Sequence, residues 1–112
     1  MKLHQKFQHP LSKDIGFWGK RGEVDLRINF GEILPGGSFP EDVLHTHKTR
    51  TTYFCIFSGE LIFEIEDEKI SVTKDAMLEI LPGEKYRTLA VGQDGCQWVV
   101  VGSHNQDDKV LL

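Results

Sequence analysis

Residues 45–59 read HTHKTRTTYFCIFSG, and this stretch determines how the rest of the chain is interpreted. Two histidines separated by one residue precede a run of β-forming residues that reaches Ser58-Gly59. In a β-strand, residues i and i+2 point to the same face. His45 and His47 are therefore predicted to aim both imidazoles at one point, as a metal site requires.

The composition limits the class of protein before any motif is used. The 112 residues suit one domain with a single core, and 39% of them are hydrophobic and 27% charged. The net charge of −4 provides no basic patch, so nucleic acid is not expected as a partner. No apolar stretch approaches the roughly 20 residues that cross a bilayer, so no membrane partner is expected. The N-terminus lacks the apolar segment of a signal peptide.

The two cysteines bear on the compartment. Cys55 and Cys96 form neither a CxxC pair nor a disulfide framework, so we expect free thiols that are buried or partly buried. Free thiols suit a reducing environment, and a cytoplasmic location is therefore expected.

Short strands are predicted from about residue 24 onward. Alternation in VDLRINF predicts a strand over 24–30 with its apolar residues on one face and Asp25, Arg27 and Asn29 on the other. Further strands are separated by sequences typical of turns, namely Ser58-Gly59, Asp67-Glu68, Pro82-Gly83 and 92–95 (GQDG). No convincing helical stripe follows residue 20. Many short strands with Gly-rich turns indicate an all-β sandwich or barrel.

The first 20 residues do not share this pattern. Phe7, Phe17 and Trp18 lie in a polar segment that contains glycine. We predict that residues 1–20 form an N-terminal arm that packs over another surface, which could belong to a partner subunit. Residues 21–112 are predicted to form the barrel.

The chain resembles the cupin family over about residues 31 to 102. Gly36-Gly37 precedes the HxH of His45-Thr46-His47, and Gly59 occupies the glycine position of the first cupin motif. Pro82-Gly83 matches the turn of the second motif. The resemblance implies a single-domain jelly-roll barrel, the double-stranded β-helix.

The resemblance also implies a metal site of three histidines and one glutamate, of which this chain retains half. Thr52 stands at the glutamate position and Tyr86 at the third histidine position. A divalent transition metal usually needs three or four protein ligands. His45 and His47 alone would hold it weakly, and Glu79 is expected to face outward. Either no cofactor is required, or a divalent metal binds His45 and His47 with an unusual third ligand.

Metal-free proton transfer is the first functional hypothesis. Histidine exchanges protons near neutral pH, and Tyr86 could donate a hydrogen bond or a proton to a carbonyl. The same stretch, 45–59, also resembles the nucleotide-sugar 3,4-ketoisomerases, in which a histidine of the pair is thought to act as base. We therefore predict an isomerase or epimerase that acts on a carbohydrate or oxo-acid-like substrate, with His45, His47 and Tyr86 as catalytic residues.

Alternation predicts which residues contact the small-molecule ligand. With Thr52 facing inward, Phe54 and Ile56 share its face, and Thr88 shares the face of Tyr86. Arg50, at the start of the strand, could bind a carboxylate or phosphate. A pocket of this kind also suits a non-catalytic module that binds a small ligand or serves in assembly.

Residues predicted to face outward bear on the oligomeric state. Tyr53 and Phe57 alternate with the pocket residues, and Ile62 interrupts the pattern of the next strand. Apolar side chains on a face that should be half solvated suggest a covered sheet. A homodimer is therefore expected.

Overall fold

The computed structural model describes residues 1–9, 12–19, 21 and 23–112, and its regular structure is all β. The strands are β1 Lys6–His9, β2 Ser12–Trp18, β3 Arg27–Ile33, β4 His45–His47, β5 Thr52–Ile65, β6 Glu68–Thr73, β7 Met77–Ile80, β8 Tyr86–Gly102 and β9 Lys109–Leu111. The all-β prediction is confirmed. Across these ranges, no helix has the length and apolar character needed to cross a bilayer.

Two long antiparallel strands, β5 and β8, organise the barrel. They pair from Thr52 opposite Gly102 at one end to Ile65 opposite Tyr86 at the other. Strand β5 also pairs with β6 and β7, and β8 also pairs with β3 and β4. A strand has only two neighbours at any point, so different parts of β5 and β8 must belong to different parts of a sheet that bends around the core.

Both long strands bend where the sequence predicted turns. The predictions that Ser58-Gly59 and residues 92–95 reverse the chain are wrong, because β5 and β8 continue through them with irregular register. Gly59 has φ +75°, and a Cβ there would lie 1.9 Å from the carbonyl oxygen of Gly95. Gly95 is also left-handed, with φ +78°. Glycine therefore permits two backbones to approach closely at a bend rather than at a turn.

The other predicted turns are close to the observed ones. Glu66 and Asp67 both have positive φ, as the central residues of a two-residue hairpin do, so this turn lies one residue before its predicted position. Pro82-Gly83 forms a turn as predicted. Its Gly83 N–H donates to the carbonyl of His47 at 2.9 Å, which holds this turn against β4.

The predicted orientation of the strand over 24–30 is wrong. Strand β3 begins at Arg27, and Arg27 and Asn29 point toward the inside of the barrel while Ile28 and Phe30 point outward. Phe30 packs on Trp18 of β2 with ring centroids 4.2 Å apart, so the outward apolar residues are partly covered. The strand thus places its polar face inside, which apolar alternation alone could not indicate.

The apolar core fills one part of the barrel. Phe63, Leu61 and Cys96 are its most deeply buried members. Trp98 adjoins them, and it fits because residue 31 is glycine: a Cβ at Gly31 would lie 2.2 Å from the indole Cζ2. Polar and charged residues line the remaining interior, where the candidate site lies.

Strands β1 and β2 lie in the predicted arm and extend the sheet beyond β3. They pair with each other, and Phe17 and Trp18 of β2 lie opposite Asn29 and Ile28 of β3. Residues 10, 11 and 20 of the predicted arm lie outside the described residues. Packing of this arm on a partner subunit stays a prediction.

Candidate functional site

The two histidines of β4 share one face, as their spacing predicts. His45 is 4% exposed and His47 is 7% exposed. Their ring centroids are 5.4 Å apart, and the ring planes are perpendicular. Strand β4 pairs with β9 on one side and meets β8 on the other, where His45 lies opposite Tyr86. Both imidazoles therefore lie in the wall of one cavity.

The protonation of His45 follows from its hydrogen bond. Its Nδ1 lies 2.7 Å from the carbonyl oxygen of Val43. A carbonyl can only accept, so Nδ1 carries the proton and the neutral ring has its lone pair on Nε2. Burial lowers the pKa of His45, although the Val43 hydrogen bond and the nearby Asp42 oppose this. His45 is therefore neutral at pH 7.

His47 forms a hydrogen bond with a buried carboxylate. Its Nδ1 lies 2.7 Å from Oδ1 of Asp108, so Nδ1–H donates and Nε2 carries the lone pair. Burial lowers the pKa of His47, and the Asp108 hydrogen bond partly offsets that effect. The ring is thus neutral at pH 7, with its orientation and tautomer fixed by an acid, which is an arrangement suited to a general base.

Asp108 is itself anchored by the backbone. Its Oδ2 accepts the N–H groups of Thr49 at 2.9 Å and Arg50 at 2.8 Å. Burial alone raises the pKa of Asp108, but these hydrogen bonds and the one from His47 outweigh burial and hold the pKa well below its ordinary value. His104 lies against Asp108 with 3.4 Å between Nε2 and Oδ2. The carboxylate is therefore a fixed anion at pH 7.

Tyr86 is the third polar ring of the site. Its centroid lies 4.4 Å from that of His45 and 6.2 Å from that of His47. Burial raises the pKa of Tyr86 to about 12, while its contact with the Thr52 hydroxyl opposes the rise. The phenol therefore keeps its proton at pH 7 and can donate a hydrogen bond.

The cavity beside these rings has a volume of about 420 Å³, which lies within the size range of small-molecule sites. The predicted contact residues Arg50, Thr52, Phe54 and Thr88 all line it, together with His45, His47 and Tyr86. Ile56 does not, because it points into the apolar core opposite Trp98. Ile56 is therefore a core residue and not a ligand contact.

Several cavity residues were not identified from the sequence. Arg27 and Asn29 of β3 line the cavity, and sequence alternation had placed them outside. Asp42 lines it too and accepts the N–H of Thr88 at 2.8 Å. Asp108 reaches His47 only because β9 pairs with β4, and no motif in the sequence marks that pairing.

Comparison with known proteins rests on structure, because no protein-family model and no curated protein matches this chain. A cupin protein from Bacteroides fragilis superposes with a TM-score of 0.63 at 20% identity, over 93% of this chain and 86% of that one. Pac13 from Streptomyces, a nucleoside dehydratase, gives 0.67 at 12% identity, over 97% and 84%. KdgF from a Halomonas species gives 0.63 at 14% identity, over 89% and 88%. The chain has the cupin fold.

The donor set of this cupin barrel departs from the metal site that the family implies. His45 and His47 offer two Nε2 lone pairs, but the other two ligand positions hold the protonated phenol of Tyr86 and the neutral hydroxyl of Thr52. Glu79 is exposed on β7, as expected, and cannot replace them. Within the described ranges, no three His, Cys, Asp or Glu side chains converge on one point. These residues do not fit a tightly held divalent ion.

Proposed function

We propose that this cupin barrel binds a small carbohydrate or oxo-acid-like molecule and transfers a proton at a carbon next to its carbonyl group. The observation that carries the proposal is the pairing of His47 with Asp108 in the same cavity as Tyr86. The two environments move the pKa values apart: that of His47 is lowered and that of Tyr86 is raised. One group is thereby available as a base and the other as an acid or hydrogen-bond donor.

The roles follow from the protonation states. Nε2 of His47 takes the proton from the carbon, and Asp108 stabilises the imidazolium that forms. The Tyr86 hydroxyl donates a hydrogen bond to the carbonyl oxygen, where negative charge develops as the enolate forms. In isomerisation, His47 returns the proton to the former carbonyl carbon while the proton of the adjacent hydroxyl passes to the former carbonyl oxygen. In epimerisation, the Tyr86 hydroxyl gives a proton to the opposite face of the same carbon, and solvent restores the starting protonation of Tyr86 and His47. His45, with Nε2 unprotonated, accepts a hydrogen bond from a substrate hydroxyl.

A structural neighbour supports proton transfer on a sugar-containing molecule. Pac13 is described as a nucleoside dehydratase, and its variants solved with uridine replace a histidine or a tyrosine. Elimination of water from a carbon chain next to a carbonyl group also uses a base that removes a carbon-bound proton. The present chain is 12% identical to Pac13, so the neighbour supports this class of chemistry and not its substrate.

The test is exchange of carbon-bound hydrogen for solvent deuterium, followed by NMR on a panel of keto-sugars and sugar acids. We expect exchange that continues after EDTA dialysis and is lost in His47→Gln. Metal content is measured on the same untagged protein. Exchange that requires stoichiometric metal would instead favour a metal-dependent cupin, and tight binding without exchange would favour a non-catalytic module.

We also propose that the chain forms a homodimer in a reducing, cytoplasmic setting. Outward residues of β3, β5, β7 and β8 form an apolar outer face, which comprises Ile28, Phe30, Tyr53, Cys55, Phe57, Met77, Val99 and Val101. Phe57 and Met77 are 58% and 60% exposed. Apart from the exposed Glu79, which pairs with Tyr53, this sheet face is apolar, and such a face suits contact with the same face of a second copy. Cys55 and Cys96 are free thiols, which suits the proposed compartment.

A further inference from the structure

Three arginines line the cavity, namely Arg21, Arg27 and Arg50. Backbone carbonyls accept hydrogen bonds from two of them, Arg21 and Arg50. Arg50 donates to two carbonyls of the loop 104–106 at 3.1 and 2.7 Å. Arg21 donates to a third carbonyl of the same loop at 3.0 Å. A carbonyl oxygen accepts a hydrogen bond from a guanidinium group, but it does not neutralise the positive charge of that group. Arg21 and Arg27 also line an adjoining cavity of about 360 Å³, so they lie between two open spaces.

Arg27 is the least compensated of the three. The ring of Phe17 lies 4.6 Å from its guanidinium carbon, which leaves the edge of the guanidinium for a planar acceptor. No ion pair joins Arg27 to a carboxylate in the part of the chain that the structure describes. Burial, then Arg50 and Arg21, lower the pKa of Arg27 to about 10. An anion at this position would relieve that repulsion.

Among the described residues, the acids that line the cavity are Glu41, Asp42 and Asp107, and Asp108 contacts His47 from outside the lining. Asp42 accepts the N–H of Thr88 and lies 3.9 Å from Nδ1 of His45. Asp108 is held by His47 and by backbone N–H groups, although its Oδ1 also lies 4.0 Å from Nη2 of Arg50. Arg27 has no contact of this kind among the described residues. The positive charge of Arg27 is thus left for a ligand, and it lies near enough to Tyr86 to oppose the rise in the pKa of the phenol.

Some buried oxygens near these groups form no hydrogen bond of ordinary geometry with the described residues, although the Thr52 hydroxyl also contacts that of Tyr86. Asn29 Oδ1 and Thr52 Oγ1 belong to cavity residues, and Asn105 Oδ1 belongs to the adjoining cavity. Within the described chain, none of the three forms a well-defined hydrogen bond. Buried acceptors without donors are costly, so a ligand that brings hydroxyl groups would stabilise them.

We propose that the substrate is a hydroxylated anion, a sugar acid or a sugar phosphate, whose carboxylate or phosphate binds Arg27 while its hydroxyls reach Asn29 and Thr52. This inference rests on the proposed function and adds the class of substrate. The anionic group lies on the β3 side of the cavity, and the carbon that loses its proton lies beside His47 and Tyr86. Arg27 is a binding residue in this arrangement and does not take part in proton transfer.

The test is calorimetric binding of glucuronate, glucose 6-phosphate and glucose to the wild-type chain and to two variants. We expect at least one anionic probe to bind ten times more tightly than glucose, or better. Arg27→Met removes the charge and keeps most of the side-chain volume, and it should weaken that probe by roughly tenfold to a hundredfold. The preferred anion distinguishes a carboxylate site from a phosphate site.

Arg87→Met is the matched control. Arg87 lies on β8, outside the cavity lining, and pairs with Glu64 at 2.9 Å. Its replacement should leave all three affinities within about twofold of wild type, because the pair is partly exposed. Arg27→Lys keeps the positive charge, so it should retain part of the anion preference. This second variant tests the proposal if Arg27→Met does not fold.

Several results would overturn the proposal. Glucose could bind as tightly as both anions, Arg27→Met could weaken all three probes equally, or none of the three could bind at millimolar concentration. Inorganic phosphate that binds as tightly as glucose 6-phosphate would indicate an adventitious ion only. His47→Gln should retain anion binding while losing hydrogen exchange, so failure of this inference and failure of the proposed function are distinguishable.

Discussion

His47 and Asp108 are 61 positions apart in the chain, yet Nδ1 of the ring lies 2.7 Å from Oδ1 of the carboxylate. The contact exists because β9 pairs with β4 and brings the end of the chain back to the HxH strand. Asp108 also holds the backbone of Thr49 and Arg50, so a single side chain fixes both the base and the loop after it. A buried histidine held in this way is suited to the role of base that we propose for it.

Asp108→Asn tests this pairing. The amide removes the negative charge that stabilises the imidazolium and can present a donor to Nδ1, so hydrogen exchange should fall by at least about a hundredfold. The NMR signals of the His47 ring nitrogens should report a changed tautomer. His104→Gln is the control, because His104 contacts Asp108 and lies outside the cavity lining. Exchange unchanged in Asp108→Asn would contradict the role of this carboxylate.

Stability should depend on pH through the same groups. Burial lowers the pKa of His45 and His47 below the ordinary 6.5, so the unfolded chain binds more protons in the window just below 6.5. The free energy of unfolding should therefore fall as pH drops from about 6.5 through the folded pKa values, by at most about 1.4 kcal/mol per pH unit for each histidine. Asp108, with a depressed pKa, should lose its stabilising effect only below 3.8.

Urea unfolding at a series of pH values measures both effects. The double variant His45→Gln, His47→Gln should flatten the curve just below pH 6.5 and leave the decline below pH 3.8 in place. The rate at which the substrate exchanges its carbon-bound hydrogen should also fall as pH drops below 6.5, because His47 then gains a proton and can no longer act as a base. If the free energy of unfolding of the wild-type chain did not change between pH 4 and 6.5, neither histidine ring would be buried in its neutral form.

Local pattern predicted most of the barrel and much of the site. The HxH spacing placed both imidazoles on one face, and alternation from Thr52 correctly placed Phe54 in the cavity wall. Alternation gave the wrong face for β3 because it assumes that apolar residues point inward. In this barrel Ile28 and Phe30 face outward, and Arg27 lines the cavity.

Contacts between distant segments could not be predicted in the same way. Asp108 meets His47 through a three-residue strand, which has too few residues for a periodic signal. Gly59 was identified as a turn because glycine after serine is typical of one, whereas its real constraint is the backbone of Gly95 across the sheet. Such constraints depend on which strands pair, and local composition does not determine that.

Tyr86→Phe should distinguish a role of the Tyr86 hydroxyl in proton transfer from a role of the ring in stability. The ring remains beside His45, while the proton donor is removed, so exchange should fall by about a hundredfold or more. The substitution keeps the ring contacts and removes the contact between the Tyr86 and Thr52 hydroxyls, so the free energy of unfolding should change by less than about 1.5 kcal/mol. Exchange rates and urea unfolding on the same sample check both statements. A large loss of stability with exchange intact would assign Tyr86 a structural role.

Two glycines with similar backbone angles allow a matched test of the bend. Gly59 and Gly83 have φ of +75° and +86°, but a Cβ at Gly59 would lie 1.9 Å from a backbone oxygen and one at Gly83 would meet nothing within 4 Å. Gly83→Ala should therefore cost about 1–2 kcal/mol for the left-handed conformation alone. Gly59→Ala should cost at least about 2 kcal/mol more, because the backbone must move. Equal costs in thermal unfolding would contradict close approach of the two strands.

Phe57→Lys tests the proposed homodimer. Phe57 lies on the apolar outer face, two residues beyond Cys55, which pairs with Met77. A charge at Phe57 should disfavour burial against the same face of a second copy. Leu111→Lys is the control, since Leu111 is 65% exposed and lies on β9, outside that face. Sedimentation velocity should give a dimer for the wild-type chain and the control, and a monomer for Phe57→Lys. Because Phe57 is exposed, its replacement should change the thermal stability of the single chain little. A monomeric variant with near wild-type thermal stability would therefore show loss of association and not misfolding. A wild-type chain that sediments as a monomer, or a Phe57→Lys variant that remains a dimer, would exclude this face as the interface.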